Sequence, residues 1–248
     1  MLFSFLSQGN IREAIIDLLL TIPTVLIALS FHEAAHGYIA YKMGDRTAYN
    51  LGRVTLNPAK HLDPLGSLCM LIFGYGWATP VPINTRNFKN PKNGMALTAL
   101  AGPVSNLILG LFGILMYWAT IFVATKSGAM LFVNSHSYYI LTDNQTMLNT
   151  FVIILRFFQY FGIMNFLLAV FNMIPIPPFD GSRIFSVILP PRWYFEIMRY
   201  ERYSLLIVIG LSMVCSRVLG FSPFNWAANG LWNLTGNLFF NIYQALIM

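Results

Sequence analysis

Two histidines and a glutamate interrupt an otherwise apolar stretch at residues 32–41, HEAAHGYIAY. His32 and His36 are four residues apart, so on a helix their imidazoles stack one turn apart on one face, with Glu33 beside them. Two imidazoles at this spacing can share one Zn2+. The carboxylate, too far round the helix to ligate easily, can reach the water that such a metal activates. Ionisable groups at membrane depth cost roughly 2.5–3.5 kcal/mol each and are by default functional or paired. Three of them inside an apolar helix therefore point to a metal centre rather than to packing.

A catalytic zinc site takes three protein ligands and keeps a fourth position open, so a third must come from elsewhere. The other histidines are His61, in a polar loop, and His136, on the opposite side of the membrane by the charge distribution described below. Asp180 is the better candidate. It stands in FNMIPIPPFDGSR, where Pro175, Pro177 and Pro178 end an apolar run and Gly181 permits a sharp turn after the carboxylate. An aspartate in a D-G pair is ordinarily a turn residue, but the histidine pair in the same chain raises it to a third ligand.

The elements that must position these groups are membrane helices. Of 248 residues, 56% are hydrophobic and 10% charged, against roughly 25% charged in an average soluble domain. Apolar runs near 14–43, 95–125, 147–175, 203–221 and 227–248 each approach the roughly 20 residues that span a bilayer. The expected fold is an all-α polytopic membrane protein forming one membrane-embedded domain over 1–248, with about five transmembrane helices. Short β-strand elements and a re-entrant segment are expected between the first two long spans. The opening twenty residues lack the basic start of a secretory signal and read as retained. Cys69 and Cys215 sit in apolar stretches as free thiols.

Basic residues cluster between the first and second spans, from Lys42 to Lys92, and again from Arg183 to Arg202, whereas the loop from 126 to 146 holds one lysine. The positive-inside rule makes the basic loops cytoplasmic. Charge placed beside apolar spans sets topology, so the net charge of +6 does not call for a nucleic-acid partner. The run at 65–75 is too short to cross. Crossing would also put its basic flanks on opposite sides, so it reads as re-entrant, which requires a protein-lined or wet cavity. Gly44 stops the first helix about two to three turns beyond the histidines, leaving the site inside the membrane near its cytoplasmic face.

FHEAAHGYIAYKMGD, LGRVTLNPAKHLDPLGS, GWATPVPIN, ALAGPVSN and FNMIPIPPFDGSR occur in that order and together resemble the site-2 protease family of intramembrane zinc metallopeptidases. The resemblance covers about 27–189 and looks like a short prokaryotic form without PDZ or CBS domains. The runs at about 203–248 lie outside it. It implies that His32, His36 and Asp180 bind one Zn2+ per chain, that Glu33 is the catalytic acid and base, and that Asn172 lies close to the active site. It further implies a multi-pass protein of the cell membrane whose active site faces the cytoplasm and whose substrates are membrane proteins with transmembrane helices. Regulation would then come from membrane segments, loops or a regulatory membrane partner.

Other residues support this reading. The Asn172 amide could hold substrate backbone or the tetrahedral intermediate. Ala99, Gly102, Asn106, Gly110 and Gly113 form one small face on which a neighbouring helix can pack closely, with Gly102 and Pro103 loosening their helix. Asn165 reads as a helix-to-helix hydrogen bond, Arg156 as snorkelling to the external interface, and Trp77, Trp193 and Trp226 as interfacial anchors. GRVTLN at 52–57 reads as a strand edge that could hold a substrate extended. The rival class is a non-catalytic zinc-binding scaffold or a metal carrier. A carrier would need ligands along a path across the bilayer, and a scaffold would not need Glu33.

Overall fold

The computed structural model describes residues 11–66, 78–134, 137–185, 187, 201–218 and 220–247. The first apolar run forms α1 (Ile11–Met43), which ends at Gly44 with φ of 113°, a left-handed backbone that glycine adopts without penalty. A single helical turn, α2 (Thr47–Asn50), follows. The second long helix, α3 (Pro91–Lys126), opens on Asn90, whose side chain accepts the Asn93 N–H while Pro91 takes the first position, where no amide hydrogen is needed. A hairpin of β1 (Met130–Asn134) and antiparallel β2 (Ser137–Ile140) leads to α4 (Gln145–Asn172), capped in the same way by Asn144. Then come the six-residue α5 (Asp180–Phe185), α6 (Glu201–Val218) and α7 (Pro223–Ile247).

Three of these helices, α1, α3 and α4, are long and apolar enough to cross a membrane. The last two expected spans are helical, but α6 carries charge at both ends and α7 carries five asparagines, so neither joins the three by composition. The re-entrant expectation at 65–75 lies, from residue 67 onward, outside the described residues, as do Cys69, Trp77, His136 and Trp193. Cys215 is a free thiol, as expected.

Two expectations need correction. Residues 52–57 form no strand. Gly52 turns the chain with φ of 64°, and the Arg53 guanidinium donates to the Thr79 and Pro80 carbonyls, so a side chain joins these segments in place of a backbone ladder. Among the described residues the only backbone pairing between α1 and α3 is an isolated bridge from Leu62 to Ala78, and the two-stranded sheet follows α3 instead. Arg156 does not snorkel away. It is ion-paired with Glu13 and lies 3.9 Å from Asp17 Oδ1, which ties α4 to α1.

α3 is the central helix, packed against α1, α4, α5 and α7. The small face expected on it is buried along its first half. Its second half packs an aromatic cluster that includes Trp118, Phe132, Trp232 and Tyr243.

Candidate metal centre

α1 presents His32, Glu33 and His36 on its buried side. The His32 and His36 Nε2 atoms are 3.0 Å apart. The third corner is Asp180, the first residue of α5, whose Oδ2 lies 3.1 Å from His32 Nε2 and 3.2 Å from His36 Nε2. The short return that delivers it depends on Gly181. A Cβ there would stand 2.4 Å from the Met173 and Ile174 carbonyl oxygens, so only glycine lets the chain fold back tightly from the end of α4.

Both imidazoles are oriented by α3. Asn106 Nδ2 donates to the Ala28 carbonyl and to Asn165 Oδ1, which leaves Asn106 Oδ1 to accept from His32 Nδ1 at 2.5 Å. His36 Nδ1 donates to the Thr98 carbonyl at 2.7 Å. With both Nδ1 atoms engaged as donors, the two Nε2 atoms face each other and a buried Asp180 oxygen that has no hydrogen-bond partner among the described residues. Where both rings are neutral, three acceptors within 3.2 Å of one another repel unless a cation sits among them. Their separations are near the roughly 3.3 Å edge of a tetrahedral zinc site. The donor set, two imidazole nitrogens and one carboxylate oxygen with ring orientation fixed from behind, fits Zn2+.

Gly102 is the close approach that makes this possible. A Cβ on it would fall 2.5 Å from His32 Cε1, His36 Cε1 and His36 Nε2. The sequence places Gly102 on the small face of α3 and also assigns it to helix loosening; in the structure it admits two imidazoles against the α3 backbone. Asn165 makes the helix-to-helix bond expected of it, and the bond ends on the residue that orients a ligand.

Glu33 lines the same cavity, of about 290 Å3, as His32, His36 and Asp180. Its Oε2 accepts the Val81 N–H at 2.9 Å, so residues 78–83 run beside the carboxylate. Asp45, just beyond α1, anchors the far end of that segment through the Asn84 N–H and the Asn87 side chain. Burial opposes ionisation of Asp45, but bonds from Thr47, Asn87 and the Asn84 backbone outweigh it and hold the carboxyl below the usual carboxylate range.

Asn172 also lines the cavity, half-buried, with its Nδ2 donating to the Leu168 carbonyl one turn back. His61 is buried away from the ligands and gives its Nε2 to the Thr55 carbonyl. Sequence reasoning missed the Thr98 carbonyl and the Val81 amide. Backbone groups carry no residue-type signal, although prolines 80 and 82, which flank Val81, do mark extended chain.

Residues 20–214 match the model of peptidase family M50. A protein of Bacillus subtilis (strain 168) named as a zinc metalloprotease, YwhC, is 39% identical over 188 residues, covering 76% of this chain and 77% of its own length. A second protein so named, Rip2 of Mycolicibacterium smegmatis, is 23% identical over 201 residues, covering 78% of this chain and 66% of its own length. No solved structure matches.

Proposed function

The chain belongs to peptidase family M50, the site-2 protease family that its motifs resemble, and on that premise we propose that it is a zinc metalloprotease. In this reading it hydrolyses peptide bonds in or near transmembrane segments of membrane-protein substrates. The observation that carries it is the convergence of His32 Nε2, His36 Nε2 and Asp180 Oδ2 beside the buried carboxylate of Glu33.

Zinc, when bound, supplies Lewis acidity that polarises the scissile carbonyl and makes a water nucleophilic near neutral pH. The chain's own residues do the rest. Glu33 has one oxygen committed to the Val81 amide, and the other takes a proton from the attacking water as the C–O bond forms. The same oxygen then delivers that proton to the departing amine nitrogen as the C–N bond breaks. Asn106 and the Thr98 carbonyl keep both imidazoles in the tautomer that leaves Nε2 free for the metal. Asn172 gives one Nδ2 hydrogen to the Leu168 carbonyl, which leaves its other Nδ2 hydrogen and its Oδ1 to meet a substrate backbone carbonyl and N–H.

A helical substrate shields its peptide groups and must be held extended to be cut. In the proposed arrangement it lies along residues 78–83, which are held against Glu33 by the Val81 amide, rather than along 52–57. Multi-pass placement in the cell membrane, with the site toward the cytoplasm, completes the reading. Three apolar helices and the asymmetry of basic residues support it.

The test compares peptide termini in membranes of cells carrying the wild type or Glu33→Gln, matched for zinc content. General acid and base catalysis contributes roughly 10²–10⁴-fold, so termini within or beside spans should form with the wild type and fall by at least that factor in the variant. Equal cleavage by both proteins at equal zinc would contradict the assignment of Glu33.

A further inference from the structure

α7 has no charged residue, yet it carries an asparagine every fourth position: Asn225, Asn229, Asn233, Asn237 and Asn241. All five are exposed, and among the described residues none forms a side-chain hydrogen bond. Immediately beside them runs a second exposed column, Trp226, Gly230, Leu234, Leu238 and Ile242. The opposite face, with Ala228, Trp232, Gly236 and Tyr243, is buried against α3 and α4.

α7 runs from the Phe171 end of α4 to the Thr125 end of α3. Phe224 packs its ring on Phe171 at the end of α4, with centroids 5.2 Å apart. Trp232 meets Tyr117 at 5.3 Å, and the Tyr243 hydroxyl lies 2.8 Å from Thr125 Oγ1 at the end of α3. A helix of 25 residues is about 37 Å long, enough for a hydrocarbon core of about 30 Å. The outward amides are therefore set at membrane depth, where lipid offers no hydrogen-bond partner.

We propose that this face is where two copies of the chain pair, α7 against α7. Each amide carries both a donor and an acceptor, so a column of them satisfies an identical column, and a two-fold interface places the same patch on both partners. Two adjacent columns repeating every four residues form the row that meets its like in a right-handed crossing of about −40 to −50°. Gly230 is the second mark of a close neighbour. Among the described residues nothing lies within 4 Å of the place its Cβ would take, so no contact among them requires glycine there, and glycine inside a helix weakens it relative to alanine. A second helix crossing at Gly230 explains the choice. Asn225 and Asn229 also line a cavity of about 310 Å3 with Thr21 and Thr24 of α1, which leaves Asn233 and Asn237 as the central cross-pair.

The test is oxidative cross-linking of the full chain in isolated membranes of expressing cells, in a background with Cys69 and Cys215 replaced by serine. Asn233→Cys and Asn237→Cys should each cross-link to a second copy, and Ala228→Cys, on the buried face, should not. Adding Gly230→Leu should cut the Asn237→Cys cross-link roughly tenfold or more with zinc content unchanged, because bulk at a right-handed crossing separates the backbones. Absence of a second-copy cross-link at both positions overturns the proposal. So does a cross-link there to a different membrane protein, or equal cross-linking at Ala228→Cys.

Discussion

Over residues 98–113, α3 meets its neighbours with Thr98, Ala99, Gly102, Asn106, Gly110 and Gly113, whereas over 114–124 it meets them with Ile114, Trp118, Ile121 and Ala124. Both stretches are buried, and one helix carries both. In the first, backbones approach so closely that a Cβ on Gly102 would enter two imidazoles and a Cβ on Gly110 would stand 2.5 Å from the Phe166 ring. His32 Nδ1 and His36 Nδ1 each donate a directed hydrogen bond to this stretch, to Asn106 Oδ1 and to the Thr98 carbonyl. In the second, Trp118 packs on Phe132, Phe240 and Tyr243, with ring centroids 5.6–6.5 Å apart. Dispersion between large side chains is tolerant of small shifts, whereas a hydrogen bond to a ligand is not. One helix thus serves as a mould for the candidate metal centre at one end and as a fastening for β1 and α7 at the other.

That division can be broken at either end. The largest effect is expected from Gly102→Val, whose side chain occupies the space of both imidazoles. Zinc should be undetectable in the purified variant and activity lost, although the chain still inserts. Trp118→Ala should act on the opposite property. Removing a ring from the aromatic cluster should cost about 3–5 kcal/mol of stability, read by denaturant titration in micelles, while zinc affinity of the folded protein stays as in the wild type. A matching loss of affinity would erase the distinction between the halves. Asn106→Ala should be gentler, since it removes the bond that orients His32 but no ligand. Affinity for zinc should fall roughly 10–100-fold, with folding little changed, in competition with a calibrated chelator.

Much of the centre could be read from residue types, because its signals are local. His32, Glu33 and His36 lie within one helical turn and a bit, and Asp180 follows a run of prolines that announces a broken span. The small face of α3 was equally plain from spacing. What stayed hidden is what depends on partners distant in the chain. Arg156 finds Glu13 across 143 positions, and the apolar run around it gives no hint of the pair. Asp17, one helical turn from Glu13, is the signal that could have found it, since two acids on one face of a membrane helix ask for a cation. Residues 52–57 have strand-forming side chains, but Gly52 and the Arg53 contacts to Thr79 and Pro80 set the backbone there. For the count of spans the obscuring feature is different: five amides lower the mean hydropathy of α7, which keeps its helical period and a length of 25 residues.

That His32, His36 and Asp180 hold one zinc ion is tested by zinc X-ray absorption on the full chain purified in lipid, together with zinc content per chain, for the wild type and Asp180→Ala. The wild type should hold one zinc per chain, with two imidazole ligands, the remainder light oxygen donors and no sulfur, and the variant should show a clear loss of metal. Sulfur in the coordination shell, or zinc retained undiminished without Asp180, would contradict it.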